Sequence, residues 1–352
     1  MNKIVTLGLS AALLLSLLAG CGSSSNVGNT VSATTEGTQS ETSSIQSGQE
    51  AQSAAAEPDK VLRIATQTYP LYASINLANE LGFIDEELEN AGYKAEWTDY
   101  ASGPLVNEAV AAGEADVGHM ADLPAIIARS SGQPIQVVSG VATGEKSLAV
   151  LIPTDSDIQT IEDLKGKKIA YATGSYAQHL LALVLDQAGL TFDDVESINL
   201  GAADSPTALE TGEVDAIVIW EQFITKLTEE GKAKVLIDGT GIKKSNMVLY
   251  AVSEYAAANP DAIVAFIKGT ERGAQYIKDN PEDAAKVLAP IYSVTEDVIA
   301  KILQNFDFTV ALSDDDITEI LTVASYANEA GIIQNPVGEE FIDTTYLKQA
   351  GY

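Results

Sequence analysis

The residues with the clearest chemical potential lie in segment 171–181, YATGSYAQHLL, between a strand-like run and an amphipathic helix. By residue type, Ser175 is a nucleophile and His179 is a base. They stand four positions apart on one predicted helix, and no nucleophile-elbow pattern surrounds the serine. A hydrolase triad also requires a third group that orients the base. The spacing therefore disfavours nucleophilic catalysis, and we do not expect an enzyme.

A second chemistry open to the same segment is anion binding by the turn Thr173-Gly174-Ser175. Glycine lets a backbone approach a ligand closely, a hydroxyl adds a donor, and the first amides of a helix carry partial positive charge. The turn Ser102-Gly103-Pro104 has a similar composition. Taken singly, each turn is an ordinary helix start. Taken together, they predict two sets of backbone amides that contact one small anion.

The elements that must position these turns are predicted by an alternation of strand-like and helical runs, which is typical of an α/β fold with largely parallel sheets. Strands are expected near 61–66, 95–100, 115–119, 135–141, 147–152, 168–172, 195–200, 214–219, 235–238 and 247–252. Helices are expected near 71–81, 104–112, 122–131, 160–165, 176–188, 204–211 and 221–230. Beyond residue 253 the pattern predicts amphipathic helices and no strand.

The α/β stretches on either side of residue 150 have similar size and rhythm, which predicts two lobes joined by crossing strands. Lobe 1 is expected to comprise 60–150 and 247–352, and lobe 2 to comprise 151–246. Open α/β sheets bind ligands at the carboxyl ends of their strands, and both glycine turns follow strands. We therefore expect the two turns to face a cleft between the lobes.

The charge balance narrows the range of partners. The chain has a formal net charge of −30, with 50 acidic and 20 basic residues. Nucleic acid and anionic lipid surfaces are therefore poor partners. The three arginines lie outside the candidate turns, so backbone amides rather than cationic side chains are expected to hold an anion. Lys146, beside Glu145 near the lobe crossing, could face either solvent or ligand.

The first 21 residues predict an export signal, because the apolar stretch from Ile4 to about Leu18 is shorter than the roughly 20 residues that a bilayer crossing needs. The four residues that end at Cys21 look like a lipoprotein lipobox, although a plain secretory signal with an incidental cysteine is the alternative. Residues 22–59 are polar and are expected to form a disordered tether. The protein is therefore expected on the outer side of the cell membrane or in the periplasm, held by lipid at Cys21.

Acylation of Cys21 would consume the single cysteine of the chain. No thiol would then remain for catalysis, disulfides or metal binding. We accordingly expect no metal and no cofactor.

Nine segments resemble, in their order along the chain, the solute-binding proteins of sulfonate, taurine and nitrate ABC importers, the NMT1/THI5-like group. They are 97–104 (WTDYASGP), 107–113 (NEAVAAG), 114–118 (EADVG), 122–124 (DLP), 163–168 (DLKGKK), 174–181 (GSYAQHLL), 212–216 (GEVDA), 220–223 (WEQF) and 246–251 (NMVLYA). The resemblance implies a type II periplasmic-binding-protein fold, whose two lobes close over one ligand. It further implies an ABC permease as the membrane partner, and we expect the receptor to be a monomer.

By the same resemblance, the oxygens of the anion would meet the backbone and hydroxyls around the two glycine turns, and Trp220 would form an apolar wall. The implied ligand-binding residues are Gln67, Thr68, Tyr69, Ser102, Gly103, Asp122, Thr173, Gly174, Ser175 and Trp220. The chain departs from the family pattern at Ala121, Gln178 and Gln222, where the family usually has Gly, His and Pro. The departures leave the identity of the ligand open.

Three ligand and activity classes remain at this point. The first is a small anionic organic solute, such as an aliphatic sulfonate or a taurine-like compound, or nitrate. The second is a pyrimidine-type vitamin precursor, for which Asp122, Glu145 or Glu221 would supply an acidic partner. The third is an enzyme on the same scaffold, which the absent thiol and the isolated His119 and His179 disfavour.

Overall fold

The computed structural model describes residues 60–352. The expected signal peptide, Cys21 and the tether lie outside the described residues, so these three features stay predictions. Within 60–352, no helix combines the length and the apolar character that a membrane crossing requires.

Six strands form the first sheet, in the order β11-β4-β10-β3-β1-β2. β1 pairs in parallel with β2 and β3, whereas β10 runs antiparallel between β3 and β4. The sheet is therefore mixed rather than largely parallel. Its strands are β1 (Lys60–Thr66), β2 (Tyr93–Asp99), β3 (Val117–Ala121), β4 (Ile135–Gly144), β10 (Ser245–Val252) and β11 (Asp307–Phe308).

Five strands form the second sheet, in the order β7-β6-β8-β5-β9. β6 pairs in parallel with β7 and β8, and β5 runs antiparallel to β8 and β9. Its strands are β5 (Leu148–Pro153), β6 (Lys168–Tyr171), β7 (Glu196–Asn199), β8 (Ala216–Trp220) and β9 (Ala233–Asp238). The chain enters this sheet after β4 and returns to the first sheet at β10. The expected lobe boundary after residue 150 falls inside β5.

Thirteen α-helices cover the two sheets within the described part of the chain. They are α1 (Ala73–Glu80), α2 (Phe83–Asn90), α3 (Gly103–Ala111), α4 (Asp122–Ser130), α5 (Tyr176–Gln187), α6 (Ser205–Glu210), α7 (Phe223–Glu229), α8 (Ser253–Ala258), α9 (Pro260–Asp279), α10 (Pro281–Tyr292), α11 (Glu296–Leu303), α12 (Asp314–Glu329) and α13 (Thr345–Ala350). The predicted helix near 160–165 is a 3-10 turn at Ile161–Leu164.

All ten strands predicted from the sequence are confirmed. The prediction that no strand follows residue 253 is wrong, because β11 adds two residues at an edge of the first sheet. So short a strand has no readable alternation of apolar and polar residues. Helix α2 was not predicted either, since only Ile84 and Leu88, one turn apart, form its buried face.

Helix α9 holds the first sheet's helical layer together by close contact with α1 and α2. A Cβ atom at Gly273 would stand 2.1 Å from the carbonyl oxygen of Ser74, and one at Gly269 would stand 2.6 Å from Cα of Ile84. These two glycines therefore let helix backbones approach where any larger residue would collide. This packing holds α1 against α9, and α1 is the first α-helix after the loop that follows β1.

Candidate functional site

A cavity of about 290 Å³ lies where loops from the two sheets meet. Every loop that contributes to it follows the carboxyl end of a strand, namely β1, β2 and β3 of the first sheet and β6, β7 and β8 of the second. The cavity is lined by Gln67, Tyr69, Leu71, Tyr72, Ala101, Ser102, Gly103, Pro104, Met120, Ala121, Pro124, Ala172, Thr173, Ser175, Tyr176, Asn199, Gly201, Ala202, Ala203 and Trp220. The location agrees with the rule for ligand sites in open α/β sheets.

The structure brings together seven of the ten residues that the sequence singled out for binding. They line the cavity from both sheets: Gln67, Tyr69, Ser102, Gly103, Thr173, Ser175 and Trp220. The other three, Thr68, Asp122 and Gly174, do not line it. Each of these three has a structural partner instead.

Thr68 and Gly174 are held by local hydrogen bonds. The Thr68 hydroxyl donates to Oδ1 of Asp99 at 2.8 Å, which ties the loop after β1 to the end of β2. The Gly174 amide donates to Oε1 of Gln178 at 2.8 Å. Gly174 also has a φ of +76°, a left-handed conformation that favours glycine. Its role in the turn is therefore conformational, and its amide is already occupied.

Asp122 lies behind the cavity wall in a fully buried ion pair. Its Oδ2 accepts a hydrogen bond from Nζ of Lys243 at 3.0 Å, and both side chains are 0 % exposed. Its Oδ1 accepts from the amide of Leu123 at 2.7 Å. The prediction that Asp122 lines the pocket is wrong, because this carboxylate is neutralised by a lysine that precedes β10. Nothing local in the sequence indicates a pair that spans so many residues.

Free amides lie in the first turns of α3 and α5; Gly103 and Tyr176 line the cavity, and Leu105 and Ala177 follow in the same turns without lining it. Among residues 60–352, the amides of Gly103 and Leu105 at the start of α3 have no hydrogen-bond partner, nor have those of Tyr176 and Ala177 at the start of α5. Both helices carry the positive end of their dipole there. The arrangement can therefore supply N–H donors to an anion from both sheets.

The preceding turn differs from the sequence prediction, because its own amides are occupied. The Thr173 amide donates to Oδ1 of Asn199 at 3.0 Å, and the Ser175 amide donates to the carbonyl of Ala172 at 3.3 Å. The Ser175 hydroxyl donates to the same carbonyl at 2.6 Å. The expected group of unpaired amides is thus shifted to the next residues along the chain, at the beginning of α5.

Aromatic side chains form much of the remaining wall. The rings of Tyr69 and Trp220 meet edge to face with centroids 6.4 Å apart, and Tyr176 lies 5.6 Å from Trp220. Tyr72 completes the group. Nε1 of Trp220 and the hydroxyl of Tyr176 are buried without a hydrogen-bond partner in the described residues. These are two further donors beside the cavity.

Sequence reasoning missed Tyr72, Tyr176 and Asn199 in the wall. All three lie within a few residues of a strand's carboxyl end, so the topological rule could have found them. The side-chain oxygen of Asn199 accepts a hydrogen bond from the Thr173 amide and so links β7 to the turn after β6. No local pattern specifies this contact between separate strand ends.

The cavity wall is uncharged. None of the side chains that line it is Asp, Glu, Lys, Arg or His. Burial raises the pKa of Tyr69, Tyr72 and Tyr176, so these hydroxyls stay protonated at neutral pH. Any charge balance for a bound anion must therefore come from backbone dipoles and neutral donors.

The two histidines lie outside the cavity wall. Burial lowers the pKa of His119 to about 3, and its Nε2 is 2.9 Å from the hydroxyl of Thr66. Burial, aided by the positive charge of Lys243, lowers the pKa of His179 to about 3. The His179 ring stacks on Tyr326 with centroids 4.2 Å apart. Both rings are therefore neutral, buried packing elements.

Glu221 adjoins Trp220 but faces away from solvent and is 1 % exposed. Its carboxylate accepts from the amide and hydroxyl of Thr225 and from Nδ2 of Asn305, the last at 2.8 Å. Burial raises the pKa of this carboxyl. Because Asn305 precedes β11, the contact links the second sheet to the helices of the first. Within residues 60–352, no group of three or more His, Cys, Asp or Glu side chains is placed to hold a metal.

The chain is similar to known proteins in family, sequence and fold. The family model described as NMT1/THI5 like matches residues 70–284. A putative aliphatic sulfonates-binding protein of Bacillus subtilis is 27% identical over 278 residues, which cover 78% of this chain and 83% of the relative. A protein of the same description from Escherichia coli is 31% identical over 212 residues, or 60% of this chain and 66% of the relative.

Among solved structures, the alkanesulfonate-binding protein of Xanthomonas axonopodis pv. citri is similar with a TM-score of 0.74. The two chains are 26% identical, and the match covers 82% of this chain and 99% of the other.

Proposed function

Since the chain belongs to the NMT1/THI5-like family, we propose that it is an extracellular receptor that captures a small anionic organic solute, a sulfonate, for an ABC importer. The expected α/β periplasmic-binding-protein fold is confirmed by the solved structures that it matches. The residues that line the cavity form the proposed binding site.

The observation that carries this proposal is the convergence of two helix starts on one uncharged cavity. Gly103 at the start of α3, which follows a strand of the first sheet, and Tyr176 at the start of α5, which follows a strand of the second, both line the cavity with free amides. Oxygens of a sulfonate accept hydrogen bonds from such amides, and helix dipoles favour the negative charge. The aromatic wall then contacts the organic part of the solute.

The net charge of −30 opposes an anionic ligand at long range. Ionic screening at physiological salt acts over about 8 Å, so distant carboxylates contribute little inside the cavity. The free amides act at hydrogen-bond distance. We therefore expect the overall charge to slow association rather than to prevent binding.

Capture is coupled to closure in this proposal, because each sheet supplies only half of the donors. Tyr69 and Trp220 meet across the cavity, and the Asn305–Glu221 hydrogen bond joins the same two halves. A solute that contacts both halves favours the closed arrangement by those extra contacts. A permease can then distinguish a loaded receptor from an empty one.

No chemical step on the solute is proposed. The Ser175 hydroxyl is engaged by the Ala172 carbonyl, and His179 is stacked on Tyr326, so the two do not form a nucleophile and base. A pyrimidine-type ligand is the second candidate, favoured by the four aromatic rings of the wall. Of the three carboxylates considered as its acidic partner, Asp122 and Glu221 are engaged behind the wall and Glu145 does not line the cavity.

Export by residues 1–21, acylation of Cys21 and residence as a monomer near the membrane remain part of the proposal. They rest on the lipobox-like residues 18–21 and on the polar composition of 22–59. Detection of lipid on Cys21 by mass spectrometry of membrane-extracted protein would test the anchor.

A thermal-shift panel tests the ligand class. Aliphatic sulfonates, nitrate, carboxylates and pyrimidines are added to the full-length chain, and the rise in Tm is measured. Binding of a ligand to the folded state raises Tm in proportion to its affinity. We expect sulfonates to give the largest shift. Stabilisation by pyrimidines alone, or formation of a product from any compound, would contradict the proposal.

A further inference from the structure

We propose that the solute is a sulfonate with an apolar organic part, alkyl or aryl, and that the site rejects aminosulfonates such as taurine. The inference rests on the proposed function and goes beyond it by fixing the chemistry of the far end of the ligand. It follows from what the cavity wall contains and from where the neighbouring carboxylates point.

An aminosulfonate carries an ammonium group at the end opposite its sulfonate. Inside a cavity, a buried ammonium requires a carboxylate or several acceptors, because the loss of hydration is otherwise not compensated. The wall that surrounds this cavity has no acidic side chain. The wall instead includes the apolar side chains of Leu71 and Met120 and the rings of Tyr72 and Trp220.

Four carboxylates lie within two positions of wall residues along the chain, and each is a potential partner for an ammonium. Asp122 is paired with Lys243, and Glu221 is held by Thr225 and Asn305. Both are buried behind the wall. Neither can turn toward the cavity without leaving a buried charge or donor unpaired.

The other two carboxylates lie at the surface. Asp99 accepts a hydrogen bond from the Thr68 hydroxyl. Asp204 is exposed, and its Oδ2 lies 4.0 Å from where a Cβ atom at Gly201 would stand. Asp204 is thus an exposed carboxylate close to Gly201 of the wall, and it provides a direct test of the inference.

The shape of the wall indicates what replaces the ammonium. Trp220 packs between Tyr69 and Tyr176, with centroids 6.4 Å and 5.6 Å away. A cavity of about 290 Å³ is close to the lower end, roughly 300 Å³, of ordinary small-molecule pockets. The space therefore suits a compact chain or a single ring, and each added methylene that is buried should strengthen binding about fourfold.

Two ligands of equal heavy-atom skeleton test the proposal directly. In 1-propanesulfonate a methyl group stands where taurine has its ammonium. Their affinities for the full-length chain are measured by isothermal titration calorimetry, together with ethane- and butanesulfonate. We expect propanesulfonate to bind roughly 100-fold more tightly than taurine. Affinity should also rise along the alkyl series until the cavity is filled.

The variant Asp204→Asn is measured with the same ligands. Unchanged propanesulfonate affinity and equally weak taurine binding in both proteins support the inference. Taurine that binds as tightly as propanesulfonate overturns it, and loss of that binding in Asp204→Asn would identify the missing countercharge. If no sulfonate binds while another class of solute does, the proposed function itself fails. The two failures are therefore distinguishable.

Discussion

Trp220 at the end of β8 meets Tyr69 after β1 edge to face, with ring centroids 6.4 Å apart and planes at 89°. Tyr69 follows a strand of the first sheet, and Trp220 ends a strand of the second. Edge-to-face contacts of this kind contribute about 0.5–1.5 kcal/mol beyond the buried area. The pair therefore links the two halves of the cavity wall at the place where the organic part of the solute is proposed to lie.

The first prediction concerns Trp220. In Trp220→Phe the wall keeps an aromatic ring but loses part of its contact with Tyr69 and with the solute. We expect the affinity for propanesulfonate to fall by roughly twofold to tenfold, the equivalent of one aromatic contact. Isothermal titration calorimetry measures the change.

The matched control is Trp97→Phe, which alters the only other tryptophan. Trp97 lies on β2 and packs on Phe266, with centroids 5.9 Å apart, away from the cavity. Its substitution should leave the affinity unchanged. It also makes Trp220 the sole tryptophan, so a change in emission on ligand addition reports on the wall itself. Equal affinity in Trp220→Phe and the wild type would remove Trp220 from the site.

The second prediction concerns the helix start at Ser175. In Ser175→Asp the new carboxylate stands at the N-cap of α5, where Asp is a favoured residue and where the Ser175 side chain makes no capping hydrogen bond, so the fold should persist. It would, however, place a negative charge beside the free amides of Tyr176 and Ala177. We expect loss of sulfonate binding by about 100-fold or more, measured by calorimetry, because like charges at short range repel strongly in a dry cavity.

Two comparisons sharpen this prediction. Ser175→Ala should change affinity only slightly, since the hydroxyl donates to the Ala172 carbonyl. Thr295→Asp places the same charge at the start of α11, where Thr295 already caps the amide of Val298. That variant should bind normally. Sulfonate affinity that survives in Ser175→Asp would exclude the α5 start from the site.

The sequence predicted the fold because the alternation of apolar runs is local, as in VLRIAT at β1. The convergence of strand ends in such folds predicted the wall residues of the two glycine turns, whereas Gln67, Tyr69 and Trp220 were implied by the family resemblance. The sequence prediction failed at Asp122 because the partner, Lys243, lies 121 positions away in the sequence. Thr173 does line the cavity, but its amide is taken by the side chain of Asn199 at a neighbouring strand end. Contacts between distant segments decide which polar groups remain free. A local sequence pattern cannot predict such contacts.

The third prediction concerns stability against pH. The folded state holds His119 and His179 neutral, with pKa values lowered to about 3, whereas an unfolded histidine titrates near 6.5. Between these values the unfolded state binds more protons, so the free energy of unfolding falls as the pH drops below about 6.5. From pH 7.5 to 5.5 each histidine should contribute a loss of about 1.4 kcal/mol.

Urea unfolding at the two pH values measures this loss. In His179→Phe an aromatic ring still stacks on Tyr326, but the nitrogen that titrates is removed. The variant should lose about 1.4 kcal/mol less than the wild type over the same range. Buried carboxyls such as Glu221 contribute equally to both proteins, so the difference isolates His179. An identical loss in the two proteins would show that His179 titrates in the folded state as it does in the unfolded chain.

The last prediction concerns the buried pair of Asp122 and Lys243. Both side chains are 0 % exposed and their charged atoms are 3.0 Å apart. In Lys243→Met the carboxylate would remain buried without a countercharge. Removing one member of such a pair costs about 3–5 kcal/mol, whereas replacing both by apolar residues is often neutral or stabilising. We therefore expect Lys243→Met to lower the free energy of unfolding strongly, and the double variant Asp122→Leu, Lys243→Met to recover most of it.

Urea unfolding and sulfonate titration of the same proteins separate a structural role from ligand contact. The exposed pair of Lys286 and Asp283 is the control, and Lys286→Met should leave the unfolding midpoint unchanged. Because Asp122 lies behind the wall, the double variant should bind propanesulfonate with nearly normal affinity once it is folded. If stability recovers but binding is lost, the carboxylate of Asp122 acts on the solute, and the wall proposed for this cavity must be extended to include it.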